Sequence, residues 1–285
     1  MSFDGLRVLV LESRRARELA TLVTTYGGEP VSAPAMREVP LESNTEAVAF
    51  ADGLERGEFD LVILMTGVGT RALIATIERV RGSRDRFIDA LRRSRILARG
   101  PKPVAALREF QVPVWVTAPE PNTWREILSI LDSRSSELRL TGLRVAVQEY
   151  GVSNPDLLAG LRDRGAVVTA VPVYQWALPE DLGPLRAACH DLAEGRIDVI
   201  LFTTATQVVH LLDVAESLGL GVSVGEGIRK AVVASIGPTT SEELRERGRD
   251  PDLEASHPKM GFLVREAAER ATGLLKAKQA RNATR

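Results

Sequence analysis

The stretch Asp60-Leu-Val-Ile-Leu-Met-Thr66 returns almost half a chain later as Asp198-Val-Ile-Leu-Phe-Thr-Thr204. Each copy is an aliphatic run too short for a helix, opened by an acid and closed by a hydroxyl, which reads as a strand buried on both faces. Other landmarks keep nearly the same spacing. Leu6-Arg7-Val8 reappears as Leu143-Arg144-Val145, Gly100-Pro101 as Gly237-Pro238, and Ala118 with Pro121 as Ala255 with Pro258, all three by one identical offset that the first pair exceeds by a single position. Segments that shared only a strand-like composition would give scattered offsets, so the chain reads as an internal duplication.

Further aliphatic runs are expected as strands at Arg7 to Leu11, Glu29 to Ala33, Ile96 to Ala98, Val114 to Val116, Arg144 to Val147, Val167 to Val171, Val232 to Ser235 and Asp252 to Glu254. Amphipathic segments between them are expected as helices at Arg15 to Tyr26, Thr45 to Glu55, Thr70 to Val80, Val104 to Phe110, Trp124 to Leu131, Pro155 to Arg164, Leu182 to Glu194, Gln207 to Leu218, Ser241 to Arg247 and Gly261 to Leu274. Gly27, Gly165, Gly195 and Gly248 follow four of these as left-handed stops. The alternation predicts an α/β fold of two similar doubly wound parallel-sheet domains, with a cleft between them where ligand would bind beyond the strand ends.

The 285 residues are 44% hydrophobic and carry 37 Lys plus Arg against 38 Asp plus Glu, a formal charge of -1. That is ample material for packed cores and leaves no global basic field for a nucleic acid. The single cysteine, Cys189, excludes an internal disulfide and a multi-cysteine metal site, as expected in a reducing cytoplasm. Met1 to Gly5 lacks the basic region of a signal peptide, and no apolar run approaches the roughly 20 residues that span a bilayer, so a soluble protein is expected.

Four strand-to-helix loops are rich in Gly, Thr, Ser and Pro: Thr66-Gly-Val-Gly-Thr70, Arg99-Gly-Pro-Lys-Pro103, Thr203-Thr-Ala-Thr206 and Ser235-Ile-Gly-Pro-Thr-Thr-Ser241. Such loops direct amides and hydroxyls outward at the positive end of a helix dipole, the chemistry that holds phosphate or carboxylate. The alternative is that Thr70, Thr206 and Ser241 are N-caps alone. Gly67-Val-Gly69-Thr-Arg-Ala72 is a degenerate dinucleotide fingerprint, but the strand that follows it runs into Arg99 and no phosphate-binding P-loop motif occurs. His190, His210 and His257 show no metal-ligand spacing. His257 and Lys259, in the loop Ala255-Ser-His-Pro-Lys-Met260, can contact an anion or serve only the loop. No nucleophile and base pattern occurs.

With Val171-Pro-Val-Tyr174-Gln175, the loop Ser235-Ile-Gly-Pro-Thr-Thr240, the paired strands ending at Thr66 and Thr204, and Ala255-Ser-His-Pro-Lys in this order, the chain resembles the uroporphyrinogen-III synthase family from about Leu6 to Leu274. The resemblance implies two α/β domains joined by a two-stranded linker, with crossings near Met36 to Pro40 and Tyr174 to Pro179. The first domain would comprise residues 1–37 and 177–275, the second residues 38–176, with 276–285 a disordered tail.

The implied reaction is a cyclising dehydration of the linear tetrapyrrole hydroxymethylbilane with inversion of ring D, giving uroporphyrinogen III. It implies no cofactor or metal, a small-molecule substrate, no nucleic-acid or membrane partner, and a monomer. Tyr174 matches the tyrosine that assists hydroxyl departure, or is a hinge aromatic. The expected substrate-binding residues are Arg14, Thr66, Gly67, Arg71, Arg99, Gly100 and Lys102, with Thr203, Thr204, Ala205, Ser235, Gly237, Pro238, Thr239, Thr240, Ser256, His257 and Lys259. The competing readings are a non-catalytic sensor on the same frame, binding a tetrapyrrole or other polycarboxylate, and a nucleotide-dependent enzyme using Gly67 to Ala72.

Overall fold

Both quoted copies are strands that bury successive residues on opposite faces. In Leu61–Leu64, Val62 and Leu64 enter one apolar cluster while Leu61 and Ile63 enter another. In Val199–Phe202, Ile200 and Phe202 face one layer, and Val199 and Leu201 the other. All eight side chains are at most 1% exposed. The period of two between two apolar layers is why the runs carry no polar break.

The protein was analysed as a computed structural model that describes residues 2–40, 44–149, 151 and 153–283. In chain order its elements are β1 (Arg7–Val10), α1 (Ala16–Thr25), β2 (Glu29–Ser32), β3 (Arg37–Pro40), α2 (Thr45–Glu55), β4 (Leu61–Leu64), α3 (Gly67–Arg81), α4 (Asp85–Arg93), β5 (Ile96–Ala98), α5 (Pro101–Arg108), β6 (Val116–Thr117) and α6 (Trp124–Ser133). There follow β7 (Arg144–Gln148), α7 (Pro155–Asp163), β8 (Val167–Val171), β9 (Tyr174–Ala177), α8 (Gly183–Ala193), β10 (Val199–Phe202), α9 (Ala205–Ser217), α10 (Gly221–Lys230), β11 (Val232–Ser235), α11 (Pro238–Glu246), β12 (Leu253–Glu254) and α12 (Met260–Ala283).

One parallel sheet has the order β12-β11-β10-β1-β2 and the other β6-β5-β4-β7-β8. Strands separated by the repeat offset occupy equivalent places: β1 and β7, β10 and β4, β11 and β5, β12 and β6. The chain divides into a first unit, Met1–Arg37 with Ala177–Arg285, and a second, Glu38–Trp176. It crosses from one to the other within β3 and within β9, which pair as a separate two-stranded sheet. Each copy of the repeat therefore gives its first two strands to one unit and its last three to the other.

The acid that opens each quoted stretch fastens this exchange. Asp198 Oδ2 accepts the Arg7 amide at 2.8 Å, and Asp60 Oδ2 accepts the Arg144 amide at 2.9 Å. Backbone bonds return from Asp198 N to Arg7 O at 3.0 Å and from Asp60 N to Arg144 O at 2.8 Å.

Several expectations need correction. α3, α5 and α11 each begin three residues before the expected start and α9 two residues before it, so Thr70, Thr206 and Ser241 lie inside helices rather than at caps. The caps are Thr66 and Thr204, and Pro101 and Pro238 take the first position of α5 and α11, where a missing N–H costs nothing. The strand expected at Val114 to Val116 is β6, at Val116–Thr117. Two helices lie where none is expected from sequence. α4 is charge-rich but buries Phe87, Ile88 and Leu91. α10 carries Gly221, Gly225 and Gly227, a poor composition for a helix. It forms because a bare Cα at Gly227 lets it approach α8, where a Cβ would collide with the Leu192 carbonyl.

The stretch from Lys276, expected as a disordered tail, instead continues α12 to Ala283; Thr284 and Arg285 lie outside the described residues. It is tied down by Lys278, whose Nζ bonds to Asp252 Oδ2 and to Ala231 O, each at 2.6 Å. The four glycine stops do adopt positive φ, from 68 to 82°.

Gly227→Ala should lower the unfolding free energy by about 1–3 kcal/mol through overpacking against backbone, read by denaturant melts; an unchanged midpoint would mean that α8 and α10 can part freely. Asp191 of α8 is bound by Arg7 Nη2 at 2.9 Å and Arg196 Nε at 3.0 Å. Burial opposes its ionisation, but the hydrogen bonds and charges of these arginines outweigh it and hold the carboxyl below its ordinary value. A lowered folded pKa stabilises above the ordinary range and is lost as pH falls through it. Asp191→Asn should therefore be less stable than the parent at neutral pH, and the gap should close as pH falls from the ordinary Asp range through the lowered one; equal stability of both proteins at pH 7 would refute the stabilising role of these bonds.

Candidate functional site

In a parallel sheet all strand ends share one edge, and the chain leaves in opposite directions at the switch between two central strands. Those switches fall between β10 and β1 in the first unit and between β4 and β7 in the second.

In the first unit this edge gathers Arg14 after β1, Thr203, Thr204 and Ala205 after β10, Gly237 to Thr240 after β11, and Ser256 to Lys259 after β12. Thr204 caps α9 by accepting the Gln207 amide at 3.3 Å, and its hydroxyl faces Met36 Sδ at 3.5 Å. Thr203 Oγ1 donates to Glu12 Oε2 across the switch at 2.7 Å. Gly237 opens α11 in extended conformation with no side-chain cap, so the amides of Thr239 and Thr240 begin a helix without internal acceptors. Thr239 is exposed and Thr240 buried.

Two expected contacts are engaged within the protein. Ser235 is fully buried, donates to Gly237 O at 3.0 Å, and lies 3.0 Å from Ser241 Oγ, which donates to Glu254 Oε2. Ser256 binds Glu266 through both its amide, at 3.0 Å, and its hydroxyl, at 2.5 Å. Burial raises the Glu266 pKa, yet these bonds and Arg265 keep it below the usual range. His257 and Lys259 are exposed, the imidazole packing on Phe262 with ring centroids 4.4 Å apart.

In the second unit Thr66 caps α3, accepting the Gly69 amide at 3.0 Å while its carbonyl takes the Thr70 hydroxyl at 2.8 Å. Gly67 is buried in the first turn, with its N–H and that of Val68 lacking intrahelical acceptors. Arg99, half-buried, and the exposed Lys102 flank Gly100 at the end of β5. Pro101 and Pro103 withhold two amides from the opening of α5, so this loop offers fewer donors than α3, α9 or α11. The Arg71 guanidinium binds Glu109, Nε to Oε2 at 3.1 Å, and that bond pulls the Glu109 carboxyl below its usual range.

Tyr174 lies in β9, three residues past the end of β8, and the next residue, Gln175, bridges Gly151 just beyond the end of β7, so it stands at the carboxyl edge of the second sheet. Its ring joins the apolar cluster of the second unit, 6% exposed, and meets Trp176 edge to face at 5.6 Å. His210 Nδ1 lies 2.7 Å from Ala35 O, a structural contact on the approach to β3. Burial pushes the Cys189 thiol up to about 11, so it offers no thiolate. Among the described residues no group of three or more His, Cys, Asp or Glu side chains can hold a metal ion, and no helix is long and apolar enough to cross a membrane.

A cavity of about 650 Å³ in the second unit is lined in part by Asp60, Arg95, Trp115 and Leu143. These residues precede β4 to β7, so it lies at the amino edge, opposite the helix N-termini, and lacks their donors. Volume and chemistry disagree here, and the donors decide.

Sequence reasoning missed Glu12, Gln207 and Gln148, all at the two switches, and read Gly69 only as part of a dinucleotide fingerprint. The signal was available: Glu12 and Glu149 extend the repeat at the offset that relates Leu6 to Leu143, and Gln148 occupies the place of Leu11.

The arrangement suits a polyanion drawn to helix N-termini rather than a covalent intermediate. Residues 17–265 match the family model described as uroporphyrinogen-III synthase HemD. The chain is 31% identical to YjjA of Bacillus subtilis, named as an uncharacterized protein, over 93% of this chain and 96% of that one. A mutant uroporphyrinogen III synthase from Thermus thermophilus superposes with a TM-score of 0.72 at 24% identity, covering 95% of this chain and 100% of that one. The Helicobacter pylori uroporphyrinogen-III synthetase gives 0.51 at 18%, covering 93% and 99%; at these identities both structures speak for the fold alone. With the model matched over most of its length, the chain belongs to the uroporphyrinogen-III synthase family.

Proposed function

We propose that this protein converts hydroxymethylbilane to uroporphyrinogen III by dehydration, inversion of ring D and ring closure, without a cofactor. The observation that carries the reading is the matched pair of threonine-capped helices, α3 after Thr66 and α9 after Thr204, each opening at the switch of its sheet. Their first-turn amides, with those of Thr239 and Thr240, are donors suited to the substrate's carboxylates. Arg14, Arg99, Lys102, His257 and Lys259 add positive charge or donors beside them.

The chemistry asks little of acid or base groups. Loss of the hydroxyl as water leaves an electron-rich pyrrole chain with a cationic methylene carbon, and the substituted carbon of ring D attacks it to give a spiro intermediate. Cleavage and re-closure then invert that ring. The electrophile and nucleophile both belong to the substrate, so the protein's share is to hold a folded conformation in which the substituted carbon reacts first. Tyr174 gives a proton to the departing hydroxyl. Its largely dehydrated setting strengthens that hydrogen bond relative to water.

The test is isomer analysis. Pure protein given enzymatically generated hydroxymethylbilane should divert the product from the spontaneous type I ring to type III. Type I alone from a folded protein overturns the reading. Tyr174→Phe should slow turnover about tenfold, less than the usual contribution of acid catalysis because the leaving group departs readily, with the KM and melting midpoint close to the parent's. Parental turnover in that variant would remove Tyr174 from the mechanism.

A further inference from the structure

The two units diverge at the centre of their carboxyl edges. After β1 stands Leu11, fully buried; at the equivalent place in the second unit, β7 ends in Gln148, 1% exposed. In the helix after β10, α9 carries Gln207, fully buried; at the matching position of the other copy, α3 has Gly69. Each unit thus encloses one glutamine at its switch, given by a helix in the first and by a strand in the second. The second is smaller there by the volume of a leucine side chain.

The glutamines differ in satisfaction. Gln207 is saturated by Thr203: its Oε1 accepts the Thr203 amide at 2.8 Å and its Nε2 donates to the Thr203 hydroxyl at 2.9 Å. The residue equivalent to Thr203 is Met65, which brings no hydroxyl. Gln148 Nε2 donates to Glu149 O, while its Oε1 finds no donor among the described residues. Reversing the amide would set oxygen against the Glu149 carbonyl, so the orphan is an acceptor.

The amide lies on the opening turn of α3. A Cβ at Gly69 would sit 2.8 Å from Gln148 Cδ and 2.9 Å from Oε1, so a side chain there would push the amide out of this place. A few atoms away begin the free amides of Gly67 and Val68. A buried acceptor without a donor is destabilising, and Leu11 shows that the fold itself needs no glutamine at this place.

We propose that Gln148 is a ligand-recognition residue: its Oε1 accepts an N–H from the bound molecule while the first-turn amides of α3 hold a carboxylate on the same ring. The ligand class is an N–H heteroaromatic carboxylate. Its identity as a pyrrole ring of the substrate rests on the function proposed above.

The test uses the full chain, a dipyrromethane carrying carboxylate side chains, and its N-methylated counterpart, which keeps the carboxylates and loses the donors. By calorimetry the parent should bind the N–H form about five- to tenfold more tightly. Gln148→Leu, the residue the first unit uses, should bind both forms equally, with unchanged affinity for the N-methyl form and an equal or higher melting midpoint. Gln148→Met repeats the test should the leucine variant misfold. An equal N–H preference in parent and variant, as when Gln148 meets only a trapped water, overturns the proposal, as does a parent that binds neither form. Isomer analysis separates the two readings. A Gln148-dependent preference without type III product sinks the synthase and leaves this site standing; type III product with no such preference does the reverse.

Discussion

The structure depends on a carboxylate clamp made twice. Asp198 holds the first residue of β1 and Asp60 the first residue of β7, each by accepting a backbone amide at the strand's entry. A charge-assisted bond of this kind contributes about 1.5–3 kcal/mol, but its larger effect is to fix register. It sets β1 beside β10, 191 positions away, and β7 beside β4. Neither copy of the repeat can complete a sheet from its own strands. A chain whose central strand pairs close so late has a high contact order, and formation of the first unit must wait for most of the polypeptide.

The clamps also divide the two edges of each sheet. At the amino edges, carboxylates and arginines meet in pairs: Asp60 with Arg144, and Asp191 with Arg7 and Arg196. The carboxyl edges carry helix N-termini, and the acids there are held by neighbouring hydroxyls, Glu12 by Thr203, Glu254 by Ser241 and Glu266 by Ser256. Fixed partial positive charge collects where the strands end, and the full charges that stabilise the fold collect where they begin. An anionic ligand is therefore drawn to one edge without disturbing the ion pairs of the other, and the cavity at the amino edge, lined by Asp60 and Arg95, is part of the fold's own electrostatics.

The parallel sheets and the duplication were legible because buried strands and fixed spacings are local, repeated signals. α10 was not, because Gly221, Gly225 and Gly227 argue against a helix until Leu192 of another helix is beside them. The turns were legible as turns, since Gly, Pro and Thr act on their own backbone. Which hydroxyls face outward was not. Ser235 is engaged within its loop beside Ser241, and Ser256 is drawn to Glu266 in the helix that follows. Helix starts were misread by two or three residues because Thr66 and Thr70, or Thr204 and Thr206, are equally good caps in sequence. The earlier threonine of each pair wins because the strand ends just before it, leaving it extended.

Duplication poses a problem that bears on the chemistry. Two equivalent units offer equivalent donors, whereas the reaction proposed above requires that one terminal ring of a repetitive, near-symmetric substrate be treated differently from the others. Discrimination has to come from positions where the copies have diverged. Arg71, Arg99 and Lys102 of the second unit have Val209, Ile236 and Thr239 as their counterparts, while Arg14 and Lys259 of the first have Gly151 and Asn122, so the two edges carry their positive groups at different places. The exchange of Leu11 and Gln207 for Gln148 and Gly69 is the most buried of these differences, and it turns a saturated amide into one with an acceptor to spare. A fold that needed only packing would have no reason to keep that acceptor at the switch of one sheet. The reaction proposed above, in which one ring must be told from the next, supplies one.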